Sequence, residues 1–329
     1  MSRVEARGPY FDELRHGQVF DTAPGVTLTA GAAAVHQAVL GDRLPLATDA
    51  ELASAVTGRG ALAHPAHVWD VAIGQSTVVT HFVRANLFYR GLVFRRFPAL
   101  GDTLYTRTEV VGLKQNATRE GRPRTGLAAL HITTRDQRGD AVLDFHRCAM
   151  LPLSPEGADT GHADDLAAIG ADPVDVTAAL AGLDLRPLAP RPPVPEVGTQ
   201  VDVVGGDVVS SAPELARLTL NVAQVHHDAR AAGGRRLVYG GHTIGLAAAQ
   251  LTRALPGVAL FLGWAGCDHT GPVHEGDTLR SVVTVEDVRP LDGGPSVVGL
   301  RSVVTADADA DDPAGEPRPV LDWRLSVLM

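Results

Sequence analysis

Two adjacent histidines, an asparagine five positions upstream and a glycine pair at the start of a helical stretch are the residues of this chain best suited to chemistry. They fall within one window, Leu220 to Leu246, which reads LNVAQVHHDARAAGGRRLVYGGHTIGL. An imidazole titrates near neutrality when unperturbed, so His226 can take up and release a proton. A carboxamide does neither, which leaves Asn221 to orient a water or the imidazole. The first N–H groups of a helix have no acceptor in their own helix and carry partial positive charge. Gly241, together with Gly240, is therefore placed to stabilise an oxyanion. Together these suit a site that orients a water beside a polarised carbonyl.

The same residues carry a family resemblance. Asn-x4-His at 221–226, followed by Gly-Arg-Arg-Leu-Val-Tyr-Gly-Gly-His at 234–242, resembles the MaoC-like, (R)-specific enoyl-CoA hydratase/dehydratase superfamily, and within it the mesaconyl-CoA hydratase branch. The superfamily pattern is Gly-Asp-x-Asn-Pro-Leu-His-x-Asp, with its first Asp and its His catalytic. This chain departs from it, with Asn221 in place of that Asp and Ala223-Gln224 in place of the Asn-Pro pair. In the mesaconyl branch Asn stands there too. The resemblance implies a hotdog fold and a hydro-lyase acting, without a cofactor or metal, on a short enoyl thioester of CoA or of an acyl carrier, branched or dicarboxylic as in mesaconyl-CoA. It also implies that His226, Asn221 and Gly241 are the catalytic set.

The elements that position these residues come in two copies. Gly101-Asp102-Thr103-Leu104 recurs as Gly276-Asp277-Thr278-Leu279, and Val142-Leu143-Asp144-Phe145 as Val320-Leu321-Asp322-Trp323. The segment from Gly41 to Asp49 lies ahead of Leu220 to Asp228 by a similar offset, and His64-Pro65 lies similarly ahead of Gly241-His242. Order preserved at nearly constant offset indicates duplication. In each copy a helix, 68–82 or 243–255, precedes three strand-like segments: 103–113, 126–135 and 141–152, then 278–288, 296–305 and 319–328. One helix wrapped by an antiparallel sheet is the hotdog fold, so the expected class is α+β, a double hotdog. Expected domains are an N-terminal hotdog with a degenerate motif (1–153), a Pro/Ala/Asp-rich linker (154–200) and a C-terminal hotdog bearing the candidate site (201–329). A short helix is expected near 176–181, and the proline run Arg191 to Pro195 disfavours regular structure. The acidic run Asp307 to Arg318 reads as a solvated hairpin loop, without the Gly and Glu spacing of a calcium site.

A CoA or phosphopantetheine ligand brings phosphates, for which Arg235, Arg236 and Arg90 are candidate partners. For any one of them alone, covering apolar surface is the simpler account. Tyr89-Arg90 and Ala63 to His67 are candidate walls of an acyl tunnel, and His242 is a further candidate at the helix start. His227 and Asp228 read as structural. The first copy keeps Asp42 but has Ala47 where the second has His226, so its carboxylate reads as a relic or a structural anion. For a dicarboxylic substrate, an arginine inside the pocket would have to pair the distal carboxylate.

Composition narrows the classes. The 329 residues suit two cores, and a hydrophobic content of 45% is that of a globular protein. A net charge of −9 argues against nucleic-acid binding, and two cysteines provide no disulfide framework. No apolar span suits a membrane and the charged start is no signal peptide, so a cytoplasmic protein with no membrane partner and able to form homo-oligomers is expected. Two rivals to the hydratase remain: a non-catalytic acyl-thioester binder, kept alive by Asn221, and an acyl-CoA thioesterase, disfavoured because 243–255 carries no carboxylate.

Overall fold

Alternating apolar residues produce long strands here, and small apolar residues produce the helices they wrap. The computed structural model describes residues 4–188, 192–292, 294–307 and 316–329. The first half contains β1 (Val19–Phe20), β2 (Val26–Thr27), α1 (Ala30–Leu40), α2 (Pro45–Thr48), α3 (Ala50–Thr57), α4 (Pro65–Gln75), β3 (Ala85–Phe94), β4 (Thr103–Gln115), β5 (Thr125–Arg135) and β6 (Ala141–Pro152). The second contains β7 (Gln200–Asp202), β8 (Asp207–Val208), α5 (Ala212–Leu218), α6 (Gly240–Ala254), β9 (Leu260–His269), β10 (Thr278–Pro290), β11 (Ser296–Ala306) and β12 (Arg318–Leu328).

The long strands form one antiparallel sheet in the order β1-β4-β5-β6-β3-β9-β12-β11-β10-β7. The two copies meet at β3 and β9, where Tyr89 stands opposite Cys267. Strands β3 and β9 add a fourth long strand per copy to the three the sequence pattern indicates. Helix α4 lies against β4 and β5, α6 against β10 and β11, and the two helices touch each other. This is a double hotdog. The repeat extends to hydrogen bonds: Gln75 Nε2 donates to the Leu104 carbonyl at 2.9 Å, and Gln250 Nε2 to the Leu279 carbonyl at 2.8 Å. Trp69 of the first copy meets Trp264 and Trp323 of the second edge-on, at ring-centroid distances of 4.9 and 6.2 Å.

Local chemistry sets the helix ends. Helix α4 starts earlier than the apolar pattern suggests, because Pro65 suits the first turn and His64 Nδ1 accepts the Ala66 N–H at 2.8 Å. It ends earlier because the hydroxyls of Ser76 and Thr77 bond back to the Ile73 and Gly74 carbonyls, both at 2.6 Å. All eleven residues of α4 are buried. The stretch after β6 lies on the outer face of the sheet, where Leu166 and Ile169 pack with Phe88, Ala129 and Cys148. Near 176–181 it forms only a single 3-10 turn, Ala178–Leu180. Residue 191 of the proline run and 308–315 of the acidic run lie outside the described residues. No helix among the described residues is long and apolar enough to cross a membrane.

Buried titratable groups collect where α1, α4 and α6 meet. His36 and His67 stack at 4.9 Å, and His36 Nε2 is 3.1 Å from Asp70 Oδ2. Burial pushes His36 and His67 down to about 3 and His242 to about 4, so all three are neutral at pH 7. Burial pushes Asp70 up to about 8, so it too is neutral there. Asp42 differs. Burial alone would raise it, but His64 beside it and the Leu44 N–H hold it below the usual carboxylate range. Its Oδ2 lies 3.0 Å from His64 Nε2, while Oδ1 accepts from Leu44 N at 2.9 Å and the Thr252 hydroxyl at 3.3 Å.

In the unfolded chain the histidines protonate near pH 6.5, so that state binds more protons between pH 6.5 and about 4, and stability must fall as pH drops through that window. Asp70 acts oppositely, its contribution being lost as pH rises toward 8, but it is one group against three. Urea midpoints should therefore decrease from pH 7 to pH 5; a midpoint that rose on acidification would show that these histidines are charged in the fold. Asp42→Asn should lower the unfolding free energy by roughly 2 kcal/mol, as expected for breaking a buried, charge-assisted contact, measured by the same denaturation.

Candidate active site

The motif loop is placed by the end of a short helix. Helix α5 closes with the Asn221 N–H on the Ala216 carbonyl at 2.9 Å and the Leu220 N–H on the Arg217 carbonyl at 3.2 Å. This pairing is the Schellman arrangement, which needs a left-handed residue at the turn. Leu220 occupies it with φ 58°, a conformation that costs a branched side chain energy and turns the chain sharply at Asn221. Asn221 Oδ1 then accepts the Ala223 N–H at 3.0 Å, and its Nδ2 is buried with no partner among the described residues. His227 Nε2 lies 2.6 Å from the Asn221 carbonyl, and Asp228 Oδ1 accepts the Arg230 N–H. Both hold the loop, as their positions suggest.

His226 is oriented by the segment leading into α6. Its Nδ1 is 2.9 Å from the Leu237 carbonyl, and since a carbonyl only accepts, Nδ1 carries the proton and Nε2 is the basic nitrogen. The backbone doubles this tie, with the Leu237 N–H on the Val225 carbonyl at 3.1 Å. Burial pushes His226 down to about 4; the Leu237 carbonyl partly offsets this, while His227 and Arg147 add to the depression. The imidazole is thus neutral at pH 7 and able to accept a proton.

Asn221, His226 and Gly240 line one cavity of about 300 Å³. The lining comes from both copies. The second copy supplies the motif loop, residues 237–240 at the mouth of α6, Thr243, and 269–273 after β9. The first supplies Thr77, Thr80, residues 83–86, Tyr89 and Arg147. Gly240 has a steric role as well as a chemical one, since a Cβ there would stand 2.7 Å from His269 Nε2.

Several residues singled out from sequence lie elsewhere. Gly241 does not line the cavity: its α-carbon is pressed against the Asp70 carboxyl and the Tyr239 ring, leaving Gly240 as the member of the glycine pair that does. His242 is fully buried on the far side of the helix, toward His36. Arg235 and Arg236 pair with Asp277 and Glu275 at 3.5 and 2.6 Å and border a separate, smaller hollow of about 180 Å³. Arg90 faces away from Tyr89, as alternation along a strand demands; it lies over Phe88 and donates to the Ala167 carbonyl at 2.8 Å. Ala63 to His67 are buried outside the cavity. Asp42 contacts Thr252, twelve residues along α6 from Gly240 and so about 18 Å away at the helical rise. It shares no site with His226.

Two cavity residues escape the sequence reading. His269, at the end of β9, is half-buried with its Nε2 enclosed and unpartnered, and burial pushes it down to about 4. Arg147 occupies an inward position of β6. The alternating row Leu143, Phe145, Arg147, Ala149, Leu151 contains the signal: one arginine among apolar residues on the face turned to the core.

Comparisons with known proteins agree with this architecture. No family model matches the sequence. The chain is 56% identical to a Mycobacterium tuberculosis protein whose structure is described as a double hotdog, with TM-score 0.91 and 98% of each chain covered. A putative MaoC domain dehydratase from Chloroflexus aurantiacus superposes with TM-score 0.85 at 26% identity, covering 100% of this chain and 99% of that one. Among characterised proteins, the chain is 28% identical to a β-methylmalyl-CoA dehydratase of Chloroflexus aurantiacus, over 100% of this chain and 99% of the relative. It is 29% identical to the mesaconyl-CoA hydratase of Cereibacter sphaeroides, over 90% and 89%. Taken with the motif loop, the glycine-opened helix and the fused hotdog pair, these likenesses show that the chain is an enzyme and belongs to the MaoC-like hydratase/dehydratase superfamily, on its mesaconyl-CoA hydratase side.

Proposed function

We propose that the chain is a hydro-lyase that adds water reversibly to a short enoyl thioester of CoA, branched or dicarboxylic as in mesaconyl-CoA. The observation that carries this reading is the convergence of a neutral, oriented imidazole, a buried amide with an unused donor and a helix mouth on one cavity. The names of the two characterised relatives support it.

The thioester carbonyl lies at the mouth of α6, where the Gly240 N–H stabilises the negative charge that builds on its oxygen. Asn221 Nδ2 holds a water at the β-carbon. His226 Nε2 removes a proton from that water as its oxygen bonds to the β-carbon, and the π electrons move onto the thioester oxygen as an enolate. The protonated imidazole returns the proton to the α-carbon, so one water is consumed and the enzyme is unchanged. A thioesterase is less well supported: the only carboxylate on a central helix, Asp70, is fully buried, bound by Tyr239 at 3.1 Å and absent from the lining.

Purified protein given mesaconyl-CoA or crotonyl-CoA should consume the enoyl absorbance without releasing free thiol. Thiol release would favour the thioesterase, and binding without turnover the non-catalytic binder. His226→Ala should lower kcat by about 10²- to 10⁴-fold with the circular dichroism spectrum unchanged. Because His226 is depressed to about 4, kcat/KM should stay level from pH 8 to pH 6; a decline centred near 6.5 would show that another, solvated histidine is the base. Asn221→Asp should keep or raise the rate on crotonyl-CoA, and complete loss would show that the amide does more than orient water.

A further inference from the structure

The wall contributed by the first copy holds a charge that the mechanism above does not use. Arg147 is 3% exposed and lines the cavity. Its Nη2 donates to the Thr80 hydroxyl at 2.7 Å and the Ser76 carbonyl at 3.2 Å, and its Nε has no partner. No carboxylate among the described residues pairs with it. The groups that act on it are the Tyr89 and Tyr239 phenols and the Cys148 thiol, and burial holds both phenols in the neutral form. Tyr89 stands directly opposite it on β3. Among the described residues, the cavity lining includes two arginines, Arg84 and Arg147, and neither Asp nor Glu.

An arginine stays charged in a protein, and burying its charge without a counter-ion is costly. The architecture does not demand that cost. In the second copy the corresponding inward row of β12 is Leu321, Trp323, Leu325, Val327, with Leu325 at the place of Arg147. A duplicated framework that folds with leucine at this position keeps an arginine only in the copy that walls the cavity.

We propose that Arg147 receives a carboxylate carried on the acyl group of the substrate, so that the first copy selects the acyl chain while the second performs the chemistry. The inference rests on the reading of the cavity as an acyl-thioester site. Its planar fork suits bidentate recognition of a carboxylate. It lines the same cavity of about 300 Å³ as His226, which places the carboxylate close to the reacting carbons and so on a short acyl chain.

Succinyl-CoA and butyryl-CoA test this, being saturated, of similar length and different only in the terminal carboxylate. Calorimetric titration of the wild-type protein should show succinyl-CoA binding about tenfold tighter or more, and Arg147→Met should weaken it by about 30-fold or more while leaving butyryl-CoA unchanged. Arg147→Lys, which keeps the charge and loses the fork, should retain part of the preference and serves if the Met variant fails to fold. Equal wild-type affinities would overturn the proposal. So would an equal loss of both ligands in the Met variant, which would assign Arg147 to a CoA phosphate. Neither probe can be hydrated, so the result stands apart from turnover: crotonyl-CoA hydration with no preference for succinyl-CoA would keep the proposed reaction and sink the carboxylate receptor.

Discussion

The site depends on one close approach, that of the second copy's motif loop to the end of the first copy's central helix. Gly74, in the last turn of α4, faces the Thr219 carbonyl at a separation where any Cβ would collide with it. That approach brings the Thr77 hydroxyl within 2.8 Å of the Val222 N–H and the His81 carbonyl within 3.0 Å of the Gln224 N–H. The strained turn at Leu220 sits between these anchors. A strained residue persists only where its surroundings over-determine it, and here those surroundings belong to the other copy. Neither hotdog could hold Asn221 and His226 in this geometry alone.

Duplication has left the frame symmetrical and the interior unequal. Gln75 and Gln250 tie their helices to equivalent strand carbonyls, and Asp102 and Asp277 each accept the N–H three residues before them. Inside, matching positions have diverged: Asp42 against Asn221, Ala47 against His226, Arg147 against Leu325. Where the first copy keeps its motif acid, that acid faces His64 and the far end of α6. It has become part of the packing between copies. The pocket-like functions have moved to the opposite end of the paired helices.

What the sequence reveals about this site follows from how local each cue is. The motif loop and the repeat are contiguous strings, so Asn221, His226 and the glycine pair are legible without a structure. Which glycine faces the cavity is not, because it depends on Asp70 and Tyr239 packing against α6 from outside the window. The same holds for Tyr89 and Arg90: adjacent in sequence, they point to opposite faces of β3, and only the pairing of β3 with β6 decides which faces the core. Arg147 and His269 are reached through that pairing too. With β3 and β9 unrecognised as strands, nothing linked either residue to the loop. The arginine-rich string before α6 has the composition of a phosphate site, yet Glu275 and Asp277 pair with it.

The departure of Asn221 from the superfamily's aspartate is the point where the site's electrostatics and its chemistry meet. An aspartate there would place a carboxylate in the same lining as Arg147, and in a medium of low dielectric the two would attract strongly. Such a pair would satisfy the arginine from within and leave an incoming carboxylate to compete for it. With an amide at 221 the lining keeps its positive charge, at the cost of one group able to carry a proton. In the proposed reaction His226 then serves both proton transfers, which a buried imidazole can do because it enters the cycle neutral and is needed as a cation only while the enolate's negative charge is present beside it. In that reaction charge is created in pairs within the cavity, and the buried standing charge of the lining, on Arg147, is the one the proposed substrate carboxylate would neutralise.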